Sequence, residues 1–558
     1  MQDLIAARFQ EGLVHHRADR FAEAQTAYGE VLAADPGHAE AWRMMSLLAE
    51  KFDRPDLARE WTGKARALEP SEIHHLFGEG VALQEIGRLA EAEARYRQVI
   101  ALAPQALEAN NNLGLILTRL DRDSEALAFF RRAIALSPGS PVFHNNLGIA
   151  LTNLDRHAEA EACFRAAIAV DQHHVGALHN LGKSLHAQGR LEEAGQALQE
   201  ALRRRQDDPR ILNDMGVLLH ELGRVADAEM VYRTGLALAP DDVDLHHNLG
   251  LVLLKTGQYR EGWAEFHWRW KADAPPHARA FTQPQWDGSP LPGGRLLINA
   301  EQGLGDILQF CRLAPLAAAR LGPDARLTLE VYRPLVSLLR DQWPEVEIIA
   351  QGDPLPAFDA YLPLLSLAGV LEQDHQTIDG APYLRPDPAR VAAWADRLAP
   401  LKGLKVGLVW SGGKLIGAAT DRKRSITLAA LAPLAAVSGV SFVSLQKDAP
   451  AAQAKTPPAD MTLLDLRDDL IDFAETAAVV ANLDLVISVD TAVVHLAGAL
   501  GKPVWLLNRF DNCWRWELER EDTPWYAGLR QFRQPTAGDW DSVIAAVAAA
   551  LAERASRR

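Results

Sequence analysis

Two segments of this chain combine acids, hydroxyls and glycines at spacings that could do chemistry. The first is Asn299-Ala300-Glu301-Gln302-Gly303-Leu304-Gly305-Asp306. Its glycines allow a tight turn and a close backbone approach. They set Asp306 at the start of a helix predicted over Ile307–Arg320. By itself a Gly-x-Gly-Asp string also reads as a helix whose aspartate caps its own first turn. The second segment is Ile487-Ser488-Val489-Asp490-Thr491-Ala492-Val493-Val494-His495-Leu496-Ala497-Gly498. An apolar run ends there at an acid and a hydroxyl, and a small-residue helix begins. The free N–H groups and positive dipole end of that helix suit a phosphate. A cationic cluster, Asp421-Arg422-Lys423-Arg424-Ser425, precedes a helix expected from near Thr427. A solvated basic loop is its competing reading.

These segments need elements to hold them. Beyond residue 294, short apolar runs alternate with amphipathic helical patterns. Strands are predicted at Arg295–Ala300, Arg326–Val331, Val346–Ala350 and Asp359–Leu362. After a helical connector around Ala389–Ala399, they resume at Lys405–Trp410, Ser441–Leu445, Asp484–Val489 and Pro503–Leu507. Such alternation means parallel sheets covered by helices. The expected architecture is two Rossmann-like halves, residues 295–388 and 389–558, facing a cleft at the carboxyl ends of their strands. A Pro-rich linker over 273–294, with Pro275-Pro276 and Pro290-Leu291-Pro292, separates them from what comes before.

Residues 1–272 are periodic. Pro36, Pro70, Pro104, Pro138 and Pro240 lie on one 34-residue grid, whose two other points hold Gln172 and Gln206. Gly12, Gly80, Gly114, Gly148, Gly182, Gly216 and Gly250 share the period, with Ser46 in the gap. So do Ala24, Ala58, Ala92, Ala126, Ala160, Ala194 and Ala228, while Tyr28, Tyr96, Phe130, Phe164, Tyr232 and Phe266 keep another phase. Small residues let two helices approach and the aromatics fill the seam, while the prolines are expected to stop the second helix of each pair. The pattern resembles the tetratricopeptide repeat family, with about eight helical pairs. Such arrays usually bind protein segments along their concave face. Two residues before the repeat glycine stand Asn112, Asn146, Asn180, Asp214 and Asn248, and Asn111, Asn145 and Asn213 stand one position earlier. Amides so spaced could hold an extended acceptor peptide, as in the asparagine ladder of the O-GlcNAc transferase repeats that they resemble. Alternatively they bond only to neighbouring helices.

Taken together, Gly303-Leu304-Gly305-Asp306 and Asp490-Thr491-Ala492-Val493-Val494-His495 resemble the two signature loops of family nine glycosyltransferases, the heptosyltransferase-like group. The resemblance spans roughly residues 295–553. It implies an all-α repeat superhelix followed by an α/β domain of the GT-B fold. Asp306 would be the catalytic base, with inverting transfer and no essential metal. The donor set would be Gly303, Gly305, Lys423, Arg424, Gln446, Asp490, Thr491, His495 and Arg515. Lys423, with Arg424 beside it, best matches the family's phosphate-binding lysine. Gln446 would meet the base or ribose, and an ordinary loop polar residue is its alternative. Arg515 would lie near the phosphates, unless Trp514 and Trp516 only pack. Ala492 stands where the family usually has glycine. The whole layout resembles bacterial flagellin-modifying glycosyltransferases. That implies flagellin as the protein acceptor and a nucleotide-sugar donor, a nonulosonic acid such as pseudaminic acid on CMP, with no cofactor.

Composition narrows the alternatives. The 58 Lys+Arg and 73 Asp+Glu leave a net charge of −15, which disfavours a general nucleic-acid binder. No stretch reaches the roughly 18 apolar residues needed to span a bilayer. The start, Met1-Gln2-Asp3-Leu4-Ile5, shows no signal peptide, so a cytoplasmic location is expected. Cys163, Cys311 and Cys513 have neither disulfide nor zinc spacing. Asp539-Trp540-Asp541 reads as a helix cap rather than a metal motif. Two other functions compete with protein glycosylation: a lipopolysaccharide or polysaccharide transferase of heptosyltransferase type, and a non-catalytic adaptor with a relic transferase domain.

Overall fold

At four of the repeat glycines an aromatic ring occupies the place of the side chain. In the computed structural model, which describes residues 2–69, 71–272, 279–413 and 418–557, a Cβ on Gly114 would stand 2.5 Å from the Phe130 ring. One on Gly148 would press still deeper into Phe164, and the same meeting joins Gly12 to Tyr28 and Gly80 to Tyr96. Where Ser46 replaces glycine, the facing aromatic is replaced by Thr62, and the two hydroxyls bond at 2.7 Å. Sixteen helices run from Gln2–Arg17 to Tyr259–His267 among the described residues. The grid alanines Ala24, Ala92, Ala126, Ala160, Ala194 and Ala228 are fully buried between them.

The prolines do not end the second helices by themselves. Those helices finish at Ala34, Leu102, Leu136 and Leu238, two residues before Pro36, Pro104, Pro138 and Pro240. With Gln172 and Gln206 in place of proline, they finish in the same phase, at Val170 and Arg204. The cap residues Asp171 and Arg205 are as extended as Asp35 and Ser137. Packing of the next pair sets the turn, and proline only agrees with it. Pro70 lies outside the described residues.

The α/β region holds two all-parallel sheets. The first comprises β1 (Arg295–Asn299), β2 (Arg326–Val331), β3 (Val346–Ala350) and β4 (Ala360–Pro363), ordered β3-β2-β1-β4. The second comprises β5 (Leu404–Val409), β6 (Val440–Ser444), β7 (Leu463–Asp465), β8 (Leu485–Val489), β9 (Val504–Asn508) and β10 (Leu529–Arg533), ordered β10-β9-β8-β5-β6-β7. The inner strands are buried on both faces, as their unbroken apolar runs require. The edge strands β7 and β10 were not predicted. In each sheet the order reverses beside a candidate segment: at β1, between β2 and β4, and at β5 and β8. Crevices for ligands form at such reversals. The helix predicted over Ile307–Arg320 is broken into Leu304–Phe310, a tight turn Cys311–Leu313 and Ala314–Leu321. Pro315 causes the break, because it lacks an N–H and crowds the preceding turn. Asp539 accepts a bond from the Ser542 amide (3.0 Å) and caps the last helix, as read from sequence.

The chain forms two compact units, Met1–Leu218 and Leu219–Arg558. The division falls inside the helix Pro209–Glu221, not at the expected linker 273–294. Tyr259, Trp263 and Phe266 of the last pair share one core with Leu296, Ile298 and Phe310 of the first sheet layer, so the last repeat folds with the α/β region. Pro275-Pro276 lies outside the described residues. The later part of the linker joins the sheet: the Trp286 amide donates to the Tyr361 carbonyl at 2.8 Å.

Gly148→Val should cost about 1–3 kcal/mol through overpacking against the Phe164 ring. Urea unfolding followed by circular dichroism checks this; wild-type stability in the variant would mean that the seam is loose.

Candidate functional site

Each candidate segment leaves a strand and turns at once into a helix. After β1, Gln302 adopts the left-handed conformation (φ +59°), which is costly for a residue with a side chain and persists only where surroundings enforce it. Its carbonyl accepts a bond from the Tyr332 hydroxyl at 2.6 Å. Gly303 then caps the helix Leu304–Phe310, and the Asp306 carboxylate reaches back to the Gly303 amide at 2.8 Å. The same carboxylate is paired with the Arg515 guanidinium. Asp306 therefore does what the capping reading says while also lining a cleft.

The segment after β8 enters the helix Ala492–Ala499. Ser488 and Thr491 hydroxyls lie 3.1 Å apart, and Arg424 donates to the Asp490 carbonyl at 3.0 Å. His495 bonds the Tyr526 hydroxyl at 2.9 Å and stacks on Trp516. Burial, reinforced by the Arg515 charge, pushes its pKa down to about 3, so the ring is neutral. The two helices meet at Gly305, where a Cβ would lie 2.8 Å from His495 and 3.4 Å from the Ala492 backbone. Glycine at 305 is required by this approach.

The meeting creates a cleft of about 250 Å³ lined by Gly303, Gly305, Asp306, Arg424, Asp490, Thr491, His495 and Arg515. Two expected members lie elsewhere. Lys423 pairs with Glu221 and comes within 3.7 Å of Asp511, because the basic cluster is a short helix, Ala418–Arg424, whose two neighbouring cations diverge. Gln446 is buried below the cleft, where its amide oxygen accepts from Trp410 (3.0 Å) and Ser411 (2.9 Å) and so holds the turn after β5. Cys513, beside Arg515, also lines the cleft, and so does Arg509, which the sequence did not single out. A basic residue just past the apolar run Pro503–Leu507 was the available signal for Arg509. Arg515 is forced to keep its charge. Burial disfavours it, but Asp306, Cys513 and Asp490 outweigh burial and raise its pKa above the ordinary value.

The asparagine row is partly engaged between repeats. Asn146 donates to Asn111 (2.9 Å) and Asn180 to Asn145 (3.0 Å), one repeat back in each case. Asn112 donates to the Tyr96 hydroxyl at 3.3 Å, and Asp214 pairs with His179 at 2.6 Å. Asn248 lies on the helix Val243–Lys255, in the second compact unit, and that helix packs against the turn Trp514–Trp516. Lys255 of the same helix is fully buried and donates to His220 at 3.1 Å. Burial pushes Lys255 down to about 8, and nearby Asp511 and Cys513 only partly oppose it.

Two known families match separate parts of the chain. The tetratricopeptide repeat family matches residues 9–71, 77–141 and 145–209. The family described as glycosyltransferase family 9 (heptosyltransferase) matches residues 469–508, which include β8 and the Asp490–His495 segment. Protein FlbA of Caulobacter vibrioides is 33% identical over 330 residues, 54% of this chain and 53% of that protein, so the chain spans about half its length. Among solved structures, a thermophilic TPR protein of Thermus thermophilus is 23% identical over 33% of this chain and 99% of its own (TM-score 0.29). The APC/C hetero-tetramer Cut9-Hcn1 is 16% identical over 48% and 52% (TM-score 0.35). Similarity to the two families thus falls in separate parts of the chain, and the chain resembles a fusion of them. Among the described residues, no helix is long and apolar enough to cross a membrane.

Below pH about 8, Lys255 is charged in both the folded and the unfolded chain, and its desolvation cost stands in full. Between there and the ordinary lysine value only the unfolded chain holds the proton, so stability rises with pH. The stability of Lys255→Met relative to wild type should therefore be highest near pH 7 and fall by about 3 kcal/mol towards pH 10. Urea unfolding of both proteins at the two pH values measures this; a constant difference would show that Lys255 does not titrate there.

Proposed function

We propose that this protein is an inverting, metal-independent glycosyltransferase of GT-B type. It moves a sugar from a nucleotide-sugar to a serine or threonine of a protein held by the repeats. The observation that carries this reading is the convergence, in one cleft, of Asp306 with Arg424, Arg509, Arg515 and the amino end of the helix Ala492–Ala499. The arginines and helix amides would stabilise charge on the departing phosphate. Asp306 would take the proton of the acceptor hydroxyl as that oxygen attacks the anomeric carbon and the bond to the phosphate breaks. Arg424 takes the donor-binding part expected of Lys423. The similarity to flagellin-modifying enzymes makes flagellin the favoured acceptor, a CMP-linked nonulosonic acid the favoured donor and the cytoplasm the location.

One observation favours a non-catalytic adaptor instead. The Asp306 carboxylate is already engaged by the Gly303 amide and Arg515, and a carboxylate clamped by a guanidinium is a poor base. In the transferase reading, donor phosphate must draw Arg515 away before the acceptor is deprotonated. Thermal shifts with CMP, UDP, GDP and ADP separate the two. Wild type should respond to one nucleotide, and Arg424→Ala should weaken that response at least tenfold. Asp306→Asn should bind nucleotide normally but lose about 10²–10⁴-fold in transfer, read by intact mass spectrometry of the acceptor. No response to any nucleotide would leave the adaptor.

A further inference from the structure

The loop that carries Asp306 is anchored from the end of the repeat array. Glu301, two residues before Gly303, is 2% exposed, and its partner Arg269 is 6% exposed. Arg269 belongs to the tight turn Trp268–Lys271 that closes the last repeat. Its guanidinium forks onto Glu301, Nη2 donating to Oε1 at 2.9 Å and Nε to Oε2 at 3.3 Å, and it also donates to the Ser366 hydroxyl (3.0 Å) and the Phe266 carbonyl (3.0 Å). Glu301 in turn accepts the Leu365 amide at 2.7 Å. Three separate parts of the chain are thereby tied to the residue preceding the left-handed Gln302: the repeat end, the turn after β4 and β1 itself.

Stability does not account for this pair. Removing two charges from water costs more than their attraction commonly returns, and apolar residues of similar volume often do as well or better. Burial pushes Arg269 down and Glu301 up, the directions that weaken an ion pair. What apolar residues could not supply is a fixed register: a planar fork and a carboxylate admit one mutual orientation. That orientation sets the start of a turn whose next residue is in a conformation it would not hold alone.

We infer that Arg269 and Glu301 form a positioning pair for the Asp306 loop, which makes the closing turn of the repeat array a working part of the site. The catalytic half of this inference rests on the transferase reading; the structural half does not. Arg269→Lys keeps the charge and loses the fork. It should melt within a few degrees of wild type while amide exchange across residues 302–306 accelerates at least fivefold. Exchange across 490–495 should stay unchanged. Transfer should fall tenfold or more in kcat, with the donor KM within twofold. The double variant Arg269→Met with Glu301→Leu should recover stability but neither slow exchange nor kcat. Wild-type exchange across 302–306 in Arg269→Lys, or recovery of slow exchange in the double variant, would overturn the inference. Accelerated exchange in a protein that transfers nothing even as wild type would keep the positioning role and reject the transferase reading.

Discussion

The site depends on two helices approaching closely enough for one backbone to touch the other. Gly305, at the start of Leu304–Phe310, lies against Ala492 and His495 of Ala492–Ala499 with no room for a side chain. Because each helix follows directly from an inner strand, that approach carries Asp306 and Asp490 into one cleft. A longer connection on either side would let the two acids drift apart.

Within that cleft, charge is arranged against the sum of the chain. A net charge of −15 coexists with three arginines around one small volume. They are held by different means. Arg515 is buried against Asp306 and Gln309, Arg424 leans on the Asp490 carbonyl, and Arg509 is within 3.4 Å of Asp511. Every one is paired, which is what burial demands of a cation. An incoming anion therefore competes for existing partners rather than meeting bare charge, and the neutral, stacked His495 supplies shape rather than charge.

The last repeats belong to this arrangement physically. Trp263 donates to the Gln373 carbonyl and packs on Phe310 and Trp514, and Glu221 holds Lys423. A repeat array ordinarily ends in a polar cap that keeps its last face soluble. Here the face is covered by the α/β region, so removing that region would uncover a Trp-rich surface, and removing the last repeat would open the core around β1.

Periodicity and strand runs were legible in the sequence because they are local. A 34-residue grid of glycine, alanine and aromatic residues has one packing solution, and β1 to β6, β8 and β9 were visible as apolar runs ended by polar or small residues. The edge strands β7 and β10 escaped because they are short or interrupted by charge, as in Leu529-Arg530-Gln531-Phe532-Arg533. The two loops could be read as well, since strand, glycine or hydroxyl, acid and helix follow one another in the chain. Tertiary structure alone decided which of the neighbours Lys423 and Arg424 faces the cleft, because adjacent residues on a helix point about 100° apart. It alone joined Gln446 to the turn after β5, Asn146 to Asn111, and Arg269 to Glu301. Those partners are separated by 32 to 36 positions or belong to different layers, and no spacing rule reaches across a sheet. Sequence determined which residues could do chemistry; only the packing of helix on helix decided which of them meet.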